Sequence, residues 1–397
     1  MDIAPQKAFS RIKQILRGRM EPPPAGVRPI SAVQSGPPTD APQPNEAGAP
    51  SNRRRSAFLD WFTATGSLIS GLATAGALIF AGGSVQTSSD AVKVAREQLR
   101  QAEDSQITER FTKAVNQLSS RALTVRLSGI YTLERVASDS ERDQPVVIEA
   151  LCAFVRVKTE ELRSGPEKGS PTHPGLDTQA ALSVIGRRVI RDQPEVVDLR
   201  KAHLVGTDLT YARLAKANLA KADLSFSELK KAILTEANLP NAVLVGANLD
   251  VAEIESAVLA KADLTDAVLT GAKMANSRFG RAKLIRAQLQ GAILSNARFP
   301  GTDFTDAKLG GATMSDASAP LGKFIRTDLS GAILHNADLS EANFKDATLV
   351  QADLSSADLT DARNLTLGQL RSAKGITVET RLPPGFTWTP ERGVQKK

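Results

Sequence analysis

From Leu199 onward, a large apolar residue stands at every fifth position. The series Leu199, Leu204, Leu209, Leu214, Leu219 runs to Leu359 without an insertion, and 32 of its 33 positions hold Leu, Ile, Met or Phe. Two residues before each stands a small residue, usually Ala, as at Ala217, Ala222, Ala232 and Ala237. A period of five fits neither a helix at 3.6 nor a strand at 2. Each unit must therefore hold a short extended piece with its centre residue inward, followed by a bend. Leu239-Pro240-Asn241-Ala242 and Phe299-Pro300-Gly301-Thr302 place Pro second and Asn or Gly third, as a type II turn requires.

A second period sets the coil. GAKMANSRF at 271, GAILSNARF at 291, GATMSDASA at 311 and GAILHNADL at 331 recur every 20 residues, so four units make one square turn. Gly271, Gly291, Gly311 and Gly331 then stack along one edge. Asn276, Asn296, Asp316 and Asn336 stack along another, where side-chain hydrogen-bond ladders are expected. About eight coils at roughly 4.8 Å give a rod on the order of 40 Å long. Coils bury their core only against neighbours, so both ends need caps. The one break in the period is Ala319, followed by Pro320. The extra volume of Phe299 and Phe324 is expected to fill the gap, which makes the break a compensated defect rather than a site.

Upstream, the pattern changes several times. Residues 1–20 place Phe9, Ile12 and Leu16 at helical spacing among Lys7, Arg11, Lys13, Arg17 and Arg19, a foothold for anionic lipid or a frayed terminus. Residues 21–56 are rich in Pro, Gly, Ala and Ser without apolar period and complete a disordered N-terminal tail, 1–56. From Trp61 to Val85 no residue is charged over 25 positions, enough to cross a bilayer core, and this predicts one transmembrane helix within 57–86. Ser67, Gly71 and Ala75 lie four apart on one face of it and form a candidate helix-association face. Arg53, Arg54 and Arg55 lie nearer the span than Lys93, Arg96 and Arg100 after it and favour a cytoplasmic N-terminus with the rod outside, but the tally alone does not fix the side.

Residues 87–163 read as helical. Ala91, Ala95, Leu99 and Ala102, then Ile107, Phe111, Val115 and Leu118, predict a stalk with one apolar face. Leu123 to Leu133 and the segment opened by Pro145 predict an antiparallel hairpin. Residues 164–196 comprise a Gly/Pro-rich linker and a helix, DTQAALSVIGRR, with Asp177 as its N-cap. Residues 197–363 are the rod. Residues 364–397 are a cap helix, LTLGQLRSAKG, with Thr366 as N-cap and Gly375 at its end, then a tail.

Units such as AKANLAKADL and SEANFKDATLVQADLSSADL strongly resemble the pentapeptide repeat family, whose pattern is A(D/N)LXX. The resemblance covers about 199 to 363. It implies a right-handed quadrilateral β-helix, an all-β solenoid, here preceded by a transmembrane helix and an α-helical segment. ITERFTKAVNQL, VRLSGIYTLERVASDSERDQP, QAALSVIGRR and LTLGQLRSAKG resemble a membrane-anchored actinobacterial group of that family, which implies a bacterial source and no established activity.

Charge then narrows the functions. The chain carries a net +7, concentrated at its N-terminus, but residues 197–363 hold 20 acidic and 19 basic side chains. Some members of the family act on DNA gyrase by imitating DNA, which needs a continuous acidic surface, and this rod departs from that. No basic stripe with interleaved aromatics appears, so no nucleic acid partner is expected. One cysteine, Cys152, excludes an internal disulfide or thiolate metal cluster. His203 and His335 lie more than six coils apart, roughly 30 Å, and cannot cooperate. No catalytic, cofactor-binding or metal residue is expected.

One face stands out. Asp263 and Asp266, Lys283 and Arg286, Asp303 and Asp306, Lys323 and Arg326, then Asp346 lie on successive coils. Rungs of alternating sign at strand spacing either attract one another as structure or code a docking face. Small apolar patches, Ile293–Thr313–Ile333 and Val243 with Val245, accompany it. The expected function is a non-enzymatic, single-pass cell-membrane protein whose rod is an interaction scaffold or spacer. Its partners are lipid and an unknown protein, with homo-oligomers through the membrane helix or rod end. The alternatives are a DNA-mimicking topoisomerase or gyrase regulator, and an enzyme with its site in the helical segment, which has no histidine.

Overall fold

The computed structural model describes residues 85–163, 173–190 and 196–397. The basic N-terminal segment, the linker after it, the Trp61–Val85 span apart from its last residue, and the Ser67, Gly71, Ala75 face lie outside the described residues. Among those described, no helix is long and apolar enough to cross a membrane. The chain divides into two units between Thr108 and Glu109. Of the first, the described part is helical, the beginning of α1 (Val85–Leu118). Its residues 91–106, including Leu99, are exposed. The apolar stripe Ala91, Ala95, Leu99, Ala102 is thus not a buried face.

In the second unit, Phe111, Ala114, Val115 and Leu118 of α1 are buried. Gly129 of α2 (Leu123–Asp139) allows that approach, because a Cβ there would stand 2.9 Å from the Ala114 carbonyl oxygen. α2, α3 (Gln144–Arg163) and α4 (Leu176–Arg187) pack on one another around Ile130, Leu133, Ile148, Leu151, Phe154, Leu182 and Ile185. Asp177 does not cap α4. Gly175 holds the cap position, and Asp177 sits in the first turn with its carboxylate buried. Its Oδ2 accepts a 2.6 Å bond from Arg126 Nε of α2. The ion pair between helices outcompetes the local cap.

The rod follows as isolated parallel bridges, each joining residue i to i+20, from Asp198–Asn218 onward. Each five-residue unit repeats one hydrogen-bond set. Leu264 N donates to Lys283 O (2.7 Å), Asp266 N to Ile285 O (2.9 Å), Asp263 N back to Ala242 O (2.9 Å), and Ala267 N closes the turn on Leu264 O (3.1 Å). The backbone is therefore satisfied coil to coil, while the Leu and Ala columns are fully buried inside.

Type II geometry extends well beyond the two proline turns. Every fifth residue from Lys201 to Asp361 has φ near +60°, whatever its side chain. The glycine column is explained by this backbone angle alone, since a Cβ at Gly291, Gly311 or Gly331 would meet nothing within 4 Å. Val251 occupies the same column at φ 55° and is 40% exposed. A β-branched side chain is strained there. Val251→Asn is expected to raise stability by about 1 kcal/mol, read as a higher Tm.

Both ends of the rod are covered. At the first coil, the Gln179 side-chain amide of α4 stands in for a neighbouring strand. Its Nε2 donates to Asp208 O (2.7 Å) and its Oε1 accepts from Asp208 N (3.0 Å), while Arg213 N donates to Gly186 O (2.8 Å). At the other end, α5 (Leu367–Ser372) begins with a capping box between Thr366 and Gln369. It stops at Ser372, short of Gly375, which instead turns at φ +73° against Asp353 and Ser355. The bridges Asp353–Lys374 and Asp358–Arg381 continue the sheet edges into this segment. The tail is a two-stranded hairpin, β1 (Phe386–Thr389) antiparallel to β2 (Gly393–Lys396). The segment expected as a tail is thus paired, with Pro390, Glu391 and Arg392 between its strands.

Candidate functional site

The charged face lies between two adjacent corners of the rod. Residues 263, 283, 303 and 323 occupy its bridge positions, and 266, 286, 306 and 326 occupy the left-handed turn positions beside them. The backbone thus fixes both columns. The structure brings the charges together as two quartets. Lys283 Nζ lies 3.1 Å from Asp263 Oδ2, and Arg286 grips both oxygens of Asp266 at 2.6 Å. Lys323 and Asp303 repeat the first contact at 3.1 Å, and Arg326 and Asp306 the second at 2.6 Å. Asp263 and Asp303 also accept from the Thr265 and Thr305 hydroxyls, each at 2.6 Å. Asp346 stands one coil beyond Arg326. The Arg326 guanidinium is held protonated chiefly by Asp306, with a smaller contribution from Asp346.

The bonds from Arg286 and Arg326 hold the Asp266 and Asp306 carboxyls below the ordinary carboxylate range. Burial pushes the Asp263 and Asp303 carboxyls up, but the threonine and lysine bonds together outweigh it and leave both lowered. Depressed folded-state values mean that the unfolded chain binds more protons as pH falls through about 4. The stabilisation is complete above that pH and is lost as pH drops through the folded values. Tm is therefore expected to fall between about pH 5 and pH 3. Replacing Asp263, Asp266, Asp303 and Asp306 together by Asn should flatten that fall.

Other sequence expectations land differently. Of the Asn276, Asn296, Asp316, Asn336 column, Asn336 Nδ2 bonds Asp316 Oδ1 at 2.7 Å, while Asn276 and Asn296 form no such bond. All four sit at left-handed turn positions, which Asn and Asp tolerate. His203 meets Asp223 (3.2 Å) and His335 meets Ser355 (2.9 Å), each one coil away. Burial pushes the Cys152 thiol up to about 12, far from a reactive thiolate at neutral pH. Among the described residues, no group of three or more His, Cys, Asp or Glu is placed to hold a metal. Sequence reasoning missed one feature: Arg278 and Arg298 lie one coil apart along a shallow cleft with Asn276, Asn296, Asp316 and Ser318. Their spacing of 20 was the available signal.

A four-sided parallel coil of five-residue units, with a left-handed residue at every corner, defines a pentapeptide solenoid. The signature described as Pentapeptide repeats is matched in eight copies, over residues 198–235, 217–252, 252–284, 282–318 and 323–361. Residues 198–361 are thus pentapeptide repeats, and the rod they form is a β-helix. No curated protein matches it. Among solved structures, it is similar to QnrB1, a plasmid-mediated fluoroquinolone resistance protein, at 16% identity over 47% of this chain and 88% of that one (TM-score 0.39). It is also similar to HetL of Nostoc sp. strain PCC 7120, a pentapeptide repeat protein involved in heterocyst differentiation regulation. That match has 28% identity over 46% of this chain and 86% of that one (TM-score 0.19).

Proposed function

We propose that the protein is a non-enzymatic, membrane-anchored scaffold that presents a charge-patterned face to a protein partner. The observation that carries this reading is the commitment of the 263–326 charges to bonds between adjacent coils, which holds their pattern rigid on an exposed surface. A fixed pattern of sign gives a partner register and specificity more than raw affinity. The uncharged span Trp61–Val85 and the basic N-terminus support anchoring to an anionic bilayer. Recovery of the full chain in the soluble fraction after low-salt washing would exclude the anchor.

Proximity labelling in the native cell tests the docking role. The labelled set is expected to change when the signs of Lys323 and Arg326 alone are reversed, and an unchanged set overturns the reading. The balance of 20 acidic and 19 basic residues in the rod weighs against imitation of DNA. Gyrase supercoiling is accordingly expected to be indifferent to the protein.

A further inference from the structure

The signs on this face are arranged by rung. Asp263, Thr265 and Asp266 form a negative rung. Lys283, Ile285 and Arg286 form a positive one. Asp303, Thr305 and Asp306 repeat the first, and Lys323, Ile325 and Arg326 repeat the second. The coil below carries Val243, Val245 and Gly246, and the coil above carries Asn343, Lys345 and Asp346. The code is therefore four rungs long, with neutral and mixed neighbours. Contacts within the rod do not require this arrangement. One Asp and one Lys per rung, exchanged on the next coil, would pair equally well and leave every rung neutral. Placing both like charges on one rung gives each rung a net sign that a facing surface can read.

We infer that the surface this face fits is the same face of a second copy, with the two rods antiparallel. This rests on the docking reading above and names its partner. Two copies placed face to face are related by a two-fold axis lying between them. If that axis runs along the rods, each rung meets itself with its two columns exchanged, Asp on Asp and Lys on Arg. If it runs across the rods, the first rung meets the fourth and the second meets the third, while each column meets its own column. Asp263 then faces Lys323 of the second copy, Asp266 faces Arg326, Lys283 faces Asp303, and Arg286 faces Asp306. Thr265 faces Ile325, and Ile285 faces Thr305. Every charged position gains an opposite charge in the antiparallel arrangement, and every one meets its like in the parallel one.

The bonds within each rod leave capacity for this. Arg286 and Arg326 spend Nε and Nη2 on their own aspartates and retain Nη1 as a donor. Lys283 and Lys323 each spend one of three N–H groups. Those lysines and arginines have side chains 54–59% exposed, so the groups lie within a partner's reach.

A charge-swap experiment decides it. The double variants Lys323→Asp/Arg326→Asp and Asp263→Lys/Asp266→Arg each place like charges opposite one another in their own antiparallel dimer. Mixed in equal amounts, they restore opposite signs on all four rungs. Sedimentation of the purified full-length chain is expected to show a dimer for the unaltered protein, loss of dimer for each variant alone, and its return in the mixture. Cysteine crosslinking sets the direction, since Cys152 is buried. Thr265→Cys chains mixed with Ile325→Cys chains should crosslink, while Thr265→Cys chains alone should not, their thiols being three coils or roughly 14 Å apart along the rods.

An unaltered protein that is monomeric overturns the proposal. So does dimerisation of either variant alone, or a mixture that stays monomeric while both variants keep the unaltered circular dichroism spectrum and melting curve. Failure here, with labelling in cells still dependent on the face, would leave docking to a different protein standing. Labelling indifferent to the face would remove that reading as well.

Discussion

Replacing Asp177 with Ala is expected to destabilise the helical unit by about 3 kcal/mol, the lower end of the range for breaking a buried ion pair. The side chains of Arg126 and Asp177 are 14% and 6% exposed. Removing the carboxylate leaves a guanidinium enclosed beside α4. The Ser120 and Arg121 carbonyls, which accept from Arg126 Nη1 at 2.9 and 2.8 Å, compensate part of that charge, and this keeps the cost from the top of the range. Asp177 Oδ1 also accepts from Thr178 N (2.9 Å), so the start of α4 loses a bond as well. The midpoint of the helical circular dichroism signal in urea is the measurement. Arg126→Leu with Asp177→Leu should be less destabilised than Asp177→Ala alone, because no buried charge remains. If the single and double variants are equally unstable, the defect lies in the fit of the side chains rather than in an unpaired charge.

Asp177 also shows where a sequence ceases to be legible. Its position before an apolar helical pattern is what an N-cap looks like. The partner that moves it to another role stands 51 residues away, on a helix whose packing no local pattern specifies. The rod is the opposite case. Its contacts repeat every 20 residues, so the position of Lys283 over Asp263 and of Arg286 over Asp266 follows from counting. The pairing into two quartets, rather than one continuous ladder, does not follow from counting. It depends on which way the Lys283 amine leans, and it leans to Asp263 rather than Asp303.

The left-handed turn was legible at Asn241 and Gly301, whose side chains favour it. At Tyr211, Phe226, Val251 and Leu321 it was not, because there the coil imposes an angle the residue does not choose. The four bulky residues are also exposed, and the strain at these corners is offset by the bonds of the adjoining coils. The C-terminal hairpin was missed for another reason. Two four-residue strands fall below the length at which alternation separates strand from irregular chain.

The largest effect in the rod is expected at Phe324. It stacks between Phe304 and Phe344, with ring centroids 5.0 and 5.1 Å away and planes within 7° of parallel, and Phe299 meets Phe304 edge-on at 5.3 Å. Phe324→Ala removes the centre of this stack and is expected to cost about 3–5 kcal/mol, read from the thermal midpoint of the β-helix signal. The same ring bears on the break in the period at Ala319. Gly322 stands where the repeat usually has Ala, and a Cβ there would lie 2.9 Å from Phe324 Cε2 and 2.9 Å from the Ala319 carbonyl oxygen. Phe324 thus occupies volume that Gly322 gives up, and the same ring is expected to fill the gap beside Ala319. Ala319→Leu should accordingly leave stability level or lower it, and Gly322→Ala should cost about 1–3 kcal/mol by overpacking. The two sites touch, so their effects should not add. Gly322→Ala placed in the Phe324→Leu background should cost much less than in the unaltered chain. An undiminished cost there would assign the clash to the Ala319 carbonyl and remove the ring as the reason for the break.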